Sequence, residues 1–484
     1  MIKSTFSLSL IFSLSLCANL QAEDSFADDL SGFDIQEVQD ESSDDLAGFE
    51  ENEDLAGFDD AHFEDIDISA DIDEPSDLSV GGNLAFKTSY GYHNHSVDGV
   101  NYQGFNQAQS ALYLQLDYAL YESWKLRVSG DAFYDAIYDI HSDNKYNDDV
   151  LDTYQTQLRL DDTYLQGSIT NSLDLKIGRQ IVVWGKSDSI RVTDVINPLD
   201  NRLPGLTDIE DLRLSVGMLK LDYYTGAWNV SVMAILESRI MLEAAPRGEF
   251  FPVDEVFPSG APNPFIDLET PKSSLDNMQY AFALNGVFSG WDLSFYAADV
   301  LDQKWHLNQE KRTREVSKVK MLGSAVNIAS GSWLFKSEVA YLNGVRYNST
   351  TDAKNRLDIL LGLDYMGISD TVLSLEIANR HIFDYEKQMS QNVVIPDYVD
   401  ENELQTAIRA TRSFMNDTLN ASALVSMFGT SWEYGGFTRI WLEYDIMDAL
   451  SSNVGVVDYI GGERPFMDAI KNNDRVFADI TYSF

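Results

Sequence analysis

From Arg356 to Tyr365 every second residue is apolar, in the row Leu357, Ile359, Leu361, Leu363 and Tyr365, while the opposite row carries Arg356, Asp358, Gly362 and Asp364. Phe437 to Ile446 repeats the pattern, with Ile440, Leu442, Tyr444 and Ile446 against Arg439, Glu443 and Asp445. A period of two marks a strand with two unlike faces. Segments of this kind, each roughly ten residues or a little longer, recur from about Leu78 to the C-terminus. In a soluble sandwich their charged rows would meet in a dry core, at prohibitive cost. A barrel with a wet lumen removes the conflict, because lipid takes the apolar row and water takes the charges. The expected fold is all-β, a transmembrane antiparallel β-barrel.

The last stretch fits such a barrel. Val476, Ala478, Ile480, Tyr482 and Phe484 share one side of a strand, and Asp479, Thr481 and Ser483 lie on the other. A closing strand ending in an aromatic residue, with Ile480, Tyr482 and Phe484 facing lipid, is the expected signal for the barrel-assembly machinery. Past the N-terminus, no apolar run approaches the roughly 20 residues of a membrane helix, so any membrane crossing is made by strands.

Tight turns are expected at Tyr121-Glu122-Ser123, Thr170-Asn171-Ser172, Thr225-Gly226-Ala227, Ser289-Gly290, Ser330-Gly331-Ser332, Ile368-Ser369-Asp370, Asn416-Asp417 and Met447-Asp448-Ala449. With both termini on the turn side, these imply about 18 strands, with 16 the second choice. Trp124, Trp228, Trp291 and Trp333 each follow a turn, as an interfacial aromatic girdle requires. Two connections on the far side stand out. Gly185 to Asp211 carries Asn197-Pro198 and Pro204-Gly205; Met241 to Pro271 carries Phe250, Phe251, Phe257 and Phe265 and reads either as an inward constriction or as a self-packed surface loop.

Residues 1–22 read as a cleavable export signal, with Lys3, an apolar Ser-rich core and small residues before Glu23. Cys17 is preceded by Leu16, which disfavours lipid attachment, and it is the only cysteine of the chain. Cysteine metal sites, nucleophiles and disulfides are thereby excluded from the mature protein. Glu23 to Asp77 holds 23 of the 78 acidic residues and none of the 34 bases, so residues 23–77 are expected to form a disordered acidic tail. Three copies of Asp-Leu-small-Gly-Phe-acid begin at Asp29, Asp45 and Asp54. Leu30, Phe33, Leu46, Phe49, Leu55 and Phe58 are the expected anchors of a multivalent docking arm for a periplasmic or inner-membrane transporter partner. A formal charge of -44 rules out a nucleic-acid partner.

The region 78–484 is left as the barrel. Continuing the parity of Leu173, Leu175 and Ile177 sends Arg179 toward lipid, at about 2 to 4 kcal/mol if at mid-membrane. Either Arg179 lies near an interface or a bulge at Gly178 turns it inward. The expectation adopted is a lumenal constriction in which Arg179, Lys186, Arg191 and Arg202 face Asp188, Asp194 and Asp200; the alternative is a structural ion-pair network closing the lumen. Gly185-Lys186-Ser187 lacks the first glycine of a phosphate-binding loop, where Gln180 stands. Asp65 to Asp71 lacks the glycine and glutamate of an EF-hand. His93 and His95 alone make an incomplete metal site. No cofactor, no metal and no enzymatic activity is expected.

Ile177-Gly178-Arg179-Gln180, Val183-Trp184-Gly185 and Val195-Ile196-Asn197-Pro198 resemble proteins of the domain-of-unknown-function 1302 family of proteobacteria. Leu375 to His381, Phe414 to Leu419, Leu442 to Asp445 and Asn473-Asp474-Arg475 are similar as well. The resemblance implies an outer-membrane barrel of a Gram-negative bacterium that works beside a resistance-nodulation-division transporter as the exit component of an envelope export system, with lipid or another hydrophobic molecule as cargo. A passive porin for small polar or anionic solutes is the alternative.

Overall fold

The structure, a computed structural model, describes residues 77–484 apart from 122, 142–144, 252–267, 309–310, 312 and 392–396. The export signal, the acidic tail up to residue 76 and its repeats lie outside the described residues, as do Glu122, Phe257 and Phe265.

Eighteen strands form one antiparallel sheet. In chain order they are β1 (Leu78–Gly91), β2 (Gly104–Tyr121), β3 (Trp124–Asp135), β4 (Thr156–Thr170), β5 (Leu173–Gln180) and β6 (Val216–Thr225). There follow β7 (Trp228–Ile235), β8 (Gln279–Phe288), β9 (Trp291–Leu301), β10 (Lys318–Ser330), β11 (Trp333–Val345) and β12 (Lys354–Ile368). The last six are β13 (Thr371–Ile382), β14 (Asn402–Phe414), β15 (Leu419–Phe428), β16 (Gly436–Met447), β17 (Leu450–Ile460) and β18 (Arg475–Ser483). Each pairs with the next, and β18 returns to β1 from Asn83↔Ser483 to Gly91↔Arg475, so the sheet closes and has no edge. All eight expected turns join strands at one end, and the longer connections lie at the other. The count of 18 holds and 16 does not. At Gly331 and Asp370 the turns take positive φ, 60° and 55°, the conformation that lets a short hairpin follow the strand twist.

The outer rows form a membrane-facing band. Leu84, Phe86, Leu114, Leu116, Ile359, Leu361, Ile440 and Ile480 are all exposed on it, which is stable only against hydrocarbon. The four tryptophans open β3, β7, β9 and β11 at the turn end. Trp291 stacks on Phe288 with centroids 4.4 Å apart, Trp228 meets the same ring edge-on at 5.4 Å, and Trp333 packs against Tyr365 at 4.4 Å. Their apolar bodies and polar N–H groups suit the membrane–water boundary.

The inner rows are not alike all the way round. On β16 and β1, Glu443 and Lys87 stay exposed to lumenal water. From β6 to β14 many inward residues are small or apolar and buried, including Met218, Met233, Ala283, Ala340, Leu360 and Ala407, and Glu338 and Glu376 are buried among them. The wet lumen expected from the alternation therefore describes one side of the barrel; the other side is dry and needs something to pack against.

Closure at the terminus rests on Phe484, which exchanges two backbone hydrogen bonds of 3.0 Å with Gly82. Deleting Phe484 removes both bonds and the outermost aromatic of the closing strand. A several-fold fall in folded barrel is expected, measured as the heat-modifiable band on gels of isolated outer membranes, with Phe484→Tyr close to wild type.

Candidate functional site

Residues 181–215 join β5 to β6, and they turn into the lumen instead of standing above it. Their contacts run from Asp292 on β9 through β11 and β13 to Arg409 on β14, Arg439 on β16 and Tyr459 on β17. With β14 nine strands from β5 in a ring of eighteen, this strap crosses the lumen from wall to opposite wall. One face, Val182, Trp184, Ile190, Val192 and Ile196, packs on the dry inner rows of β6 to β14. Trp184 stacks on Tyr296 of β9 with centroids 4.7 Å apart and planes at 20°.

The strap has almost no regular structure of its own. Among the described residues it has one two-residue strand, Asp200–Asn201 alongside Leu242–Glu243 of the next long connection, and a single bridge from Leu199 to Arg213. Irregular backbone at membrane depth must find hydrogen-bond partners within the protein, and two wall carboxylates supply them. Glu338 of β11 accepts from the Lys186 and Ser187 amides at 2.6 and 2.8 Å through Oε1, and from the Thr193 amide and hydroxyl at 3.0 and 2.7 Å through Oε2. Glu376 of β13 accepts from Asp188 N at 2.7 Å and from Ser189 N and Ile190 N at 3.0 Å. Both glutamates are 1% exposed. Gly185, at φ +90°, makes room: a Cβ there would stand 2.7 and 2.8 Å from the Glu338 oxygens.

The expected basic patch divides among several places. Arg179 is not in the lumen. Pairing runs through Gly178 without a register shift at that point, Thr163↔Arg179 on one side and Arg179↔Gly217 on the other. Arg179 therefore keeps the outward row of Ile177, at the loop end of β5, and bonds Glu237 at 2.6 Å. It is an interfacial ion pair, and no bulge turns it inward. Lys186 reaches Asp292 at 2.9 Å, and Asp188 meets Lys336, which also holds Asp364 at 2.7 Å. Arg191 and Arg213 share Asp194 at 3.1 and 2.8 Å. Arg202 bonds Asp200, and Arg159 of β4 reaches the same carboxylate at 3.3 Å. Each of these cations has an acid against it, which is the arrangement of the ion-pair network.

The other long connection contributes a roof. Phe250 is 1% exposed and packs with Val457, Tyr459, Met467 and Ile470, and Glu249 pairs with Arg475 at the start of β18. Burial pushes the Glu249 carboxyl above its ordinary range, against the pull of Arg475. Of the expected alternatives for this loop, its described part takes the inward one.

Sequence reasoning missed Glu338 and Glu376, although the second lies within the quoted Leu375 to His381. The usable signal was the company each keeps on its inward row: Ala340 and Leu342 after Glu338, Ala378 after Glu376. A carboxylate among small apolar inward residues is buried, and a buried carboxylate needs donors.

A family model described as a protein of unknown function, DUF1302, matches residues 71–484. No curated protein matches the chain in sequence. Among solved structures, 84% of the chain aligns with 99% of the outer membrane protein OpdK from Pseudomonas aeruginosa, at 9% identity and a TM-score of 0.48. The same share aligns with 96% of Pseudomonas aeruginosa OccK11 (OpdR), at 10% and 0.46, and with 97% of the outer membrane channel DcaP of Acinetobacter baumannii, at 11% and 0.42.

Gly185→Ala places a methyl group against the Glu338 carboxylate on a backbone that disfavours it. The strap is expected to lose about 1–3 kcal/mol of local stability. Hydrogen exchange should speed up at the Lys186, Ser187 and Thr193 amides while the strands keep their protection.

Proposed function

The chain belongs to the DUF1302 family, and from that premise we propose that it is an outer-membrane transport barrel closed at rest, the exit component of a Gram-negative envelope export system. The observation that supports this reading over a passive porin is the strap. An open pore leaves its inner rows to water, whereas here half of them are covered by a segment that two buried carboxylates hold by its backbone. Opening the path means freeing or shifting that segment, and each buried amide left without a partner costs about 1–3 kcal/mol. A barrel of this design calls for a trigger.

The partner we propose is an inner-membrane transporter of the resistance-nodulation-division type, or its periplasmic carrier, engaged by the tail through Leu30, Phe33, Leu46, Phe49, Leu55 and Phe58. Repetition supports this: three weak two-residue anchors on one chain raise avidity without a large interface. Lipid or another hydrophobic molecule is the proposed cargo, in keeping with the apolar packing of the strap. The proposed work is transport and involves no catalysis.

In planar bilayers the wild-type protein should conduct little, and the double variant Glu338→Ala/Glu376→Ala should raise mean conductance several-fold. An equally open wild type would remove the gate and restore the passive porin. For the tail, crosslinking in cells should capture an envelope transporter or carrier with the intact chain. Capture should be lost when Glu23 to Asp77 is deleted and when the six anchors are changed to Ala; loss in neither variant would sink the docking arm.

A further inference from the structure

Between the strap and the wall of β14 to β17 there is a cavity of about 260 Å³. Toward the loop end its lining is apolar: Leu424 and Phe428 of β15, Phe437 of β16, and Met467 of the short helix Pro465–Ile470. At mid-height it ends on Arg409 and on Asp208 of the strap. Arg409 Nη2 donates to Asp208 Oδ2 at 3.0 Å, and Arg439 Nη1 donates to Asp208 Oδ1 at 2.8 Å. Two guanidiniums thus share one carboxylate. Arg439 is 5% exposed and held over Trp441 at 4.0 Å, and its buried Nε donates to no protein atom among the described residues. Glu210 and Asp211, the next acids along the strap, are exposed to water and, like Glu443 and Asp479, act on the two guanidiniums from beyond contact distance.

At contact distance the two guanidiniums therefore have one carboxylate between them, and Arg439 keeps a buried donor with unused capacity. The other end is mainly hydrocarbon, and its polar side chains Gln405 and Ser426 bond one another at 3.4 Å. A ligand matching both is a single-chain molecule with an anionic head. A neutral lipid would leave the guanidiniums as they are, and a small hydrophilic anion would leave the apolar wall empty.

We propose that this cavity binds a single-chain amphipathic anion, its head on Arg409 and Arg439 in competition with Asp208 and its chain along Leu424, Phe428 and Phe437. The site rests on the reading of the barrel as a transport path and names the class of cargo. Carboxylate and phosphate monoester heads share the required chemistry, because either can accept from two guanidiniums.

The test is equilibrium dialysis of the full-length protein in amphipol against decanoate, decyl phosphate, decanol and decyltrimethylammonium. Both anions should bind saturably and the other two at least about tenfold more weakly, the loss expected for one charge-assisted hydrogen bond; the tighter anion identifies the head group. Arg409→Gln should weaken anion binding about tenfold, and Asp208→Asn, which removes the competing carboxylate, should strengthen it. Leu424→Trp fills the cavity and should abolish saturable binding while the heat-modifiable folded band is kept. Equal affinity for decanoate and decanol, anion binding undiminished in both Arg409→Gln and Leu424→Trp, or weaker binding in Asp208→Asn would overturn the proposal. Because binding is read without any transport step, the site can fail while the conductance result stands, and the reverse.

Discussion

An irregular peptide segment cannot lie at membrane depth unless its amides are satisfied, and in this protein that requirement is met by two buried carboxylates. Glu338 and Glu376 turn a run of otherwise orphaned N–H groups, from Lys186 to Thr193, into anchor points. Each carboxylate is itself taken from water, and is tolerable there because the donors converge on it from several directions. The two needs answer one another: without the strap the glutamates would be isolated charges in a dry wall, and without the glutamates the strap would have to rise to the surface. The packing of Trp184 on Tyr296 and of Ile190 and Val192 on the alanine-rich rows follows once that anchoring is in place.

The division of the lumen into a dry and a wet side has the same origin. Where a peptide segment lies against β6 to β14, many of their inward residues are small, while Lys87 and Glu443 remain on rows that meet water. Charges within the strap are paired where they stand, as with Arg191, Arg213 and Asp194. The same two-to-one sharing recurs at the far end, where Asp208 is in contact with both Arg409 and Arg439 and a cavity lies beside it.

Much of the barrel was legible in the sequence because a strand is a local object. Alternation in Arg356 to Tyr365, eight short turns and the closing row of Ile480, Tyr482 and Phe484 each depend on residues a few positions apart. Arg179 was misplaced because a glycine beside it made a bulge plausible; the ladder shows that Gly178 keeps register. The clasp was harder to see because its parts are distant in the chain. In Gln279 to Phe288 both rows are largely apolar, with Tyr280 and Phe282 outward and Ala281 and Ala283 inward, which announces a dry interior. What fills that interior is a strap that leaves the chain far earlier, and no local pattern names it.

The strap's anchors also fix when it can settle. It departs from β5, yet the carboxylates that hold it lie 145 to 188 positions later, and Tyr459, which donates to Pro204 O, lies 255 positions on. Loop-closure entropy has to be overcome before such remote contacts form. During biogenesis the first five strands therefore carry an unmoored segment, and the alanine-rich inner wall stays bare until the second half of the sheet has curved round to meet it. Docking of the strap is a late event of assembly, tied to completion of the ring, and a chain halted before β13 is an open sheet with its strap hanging free.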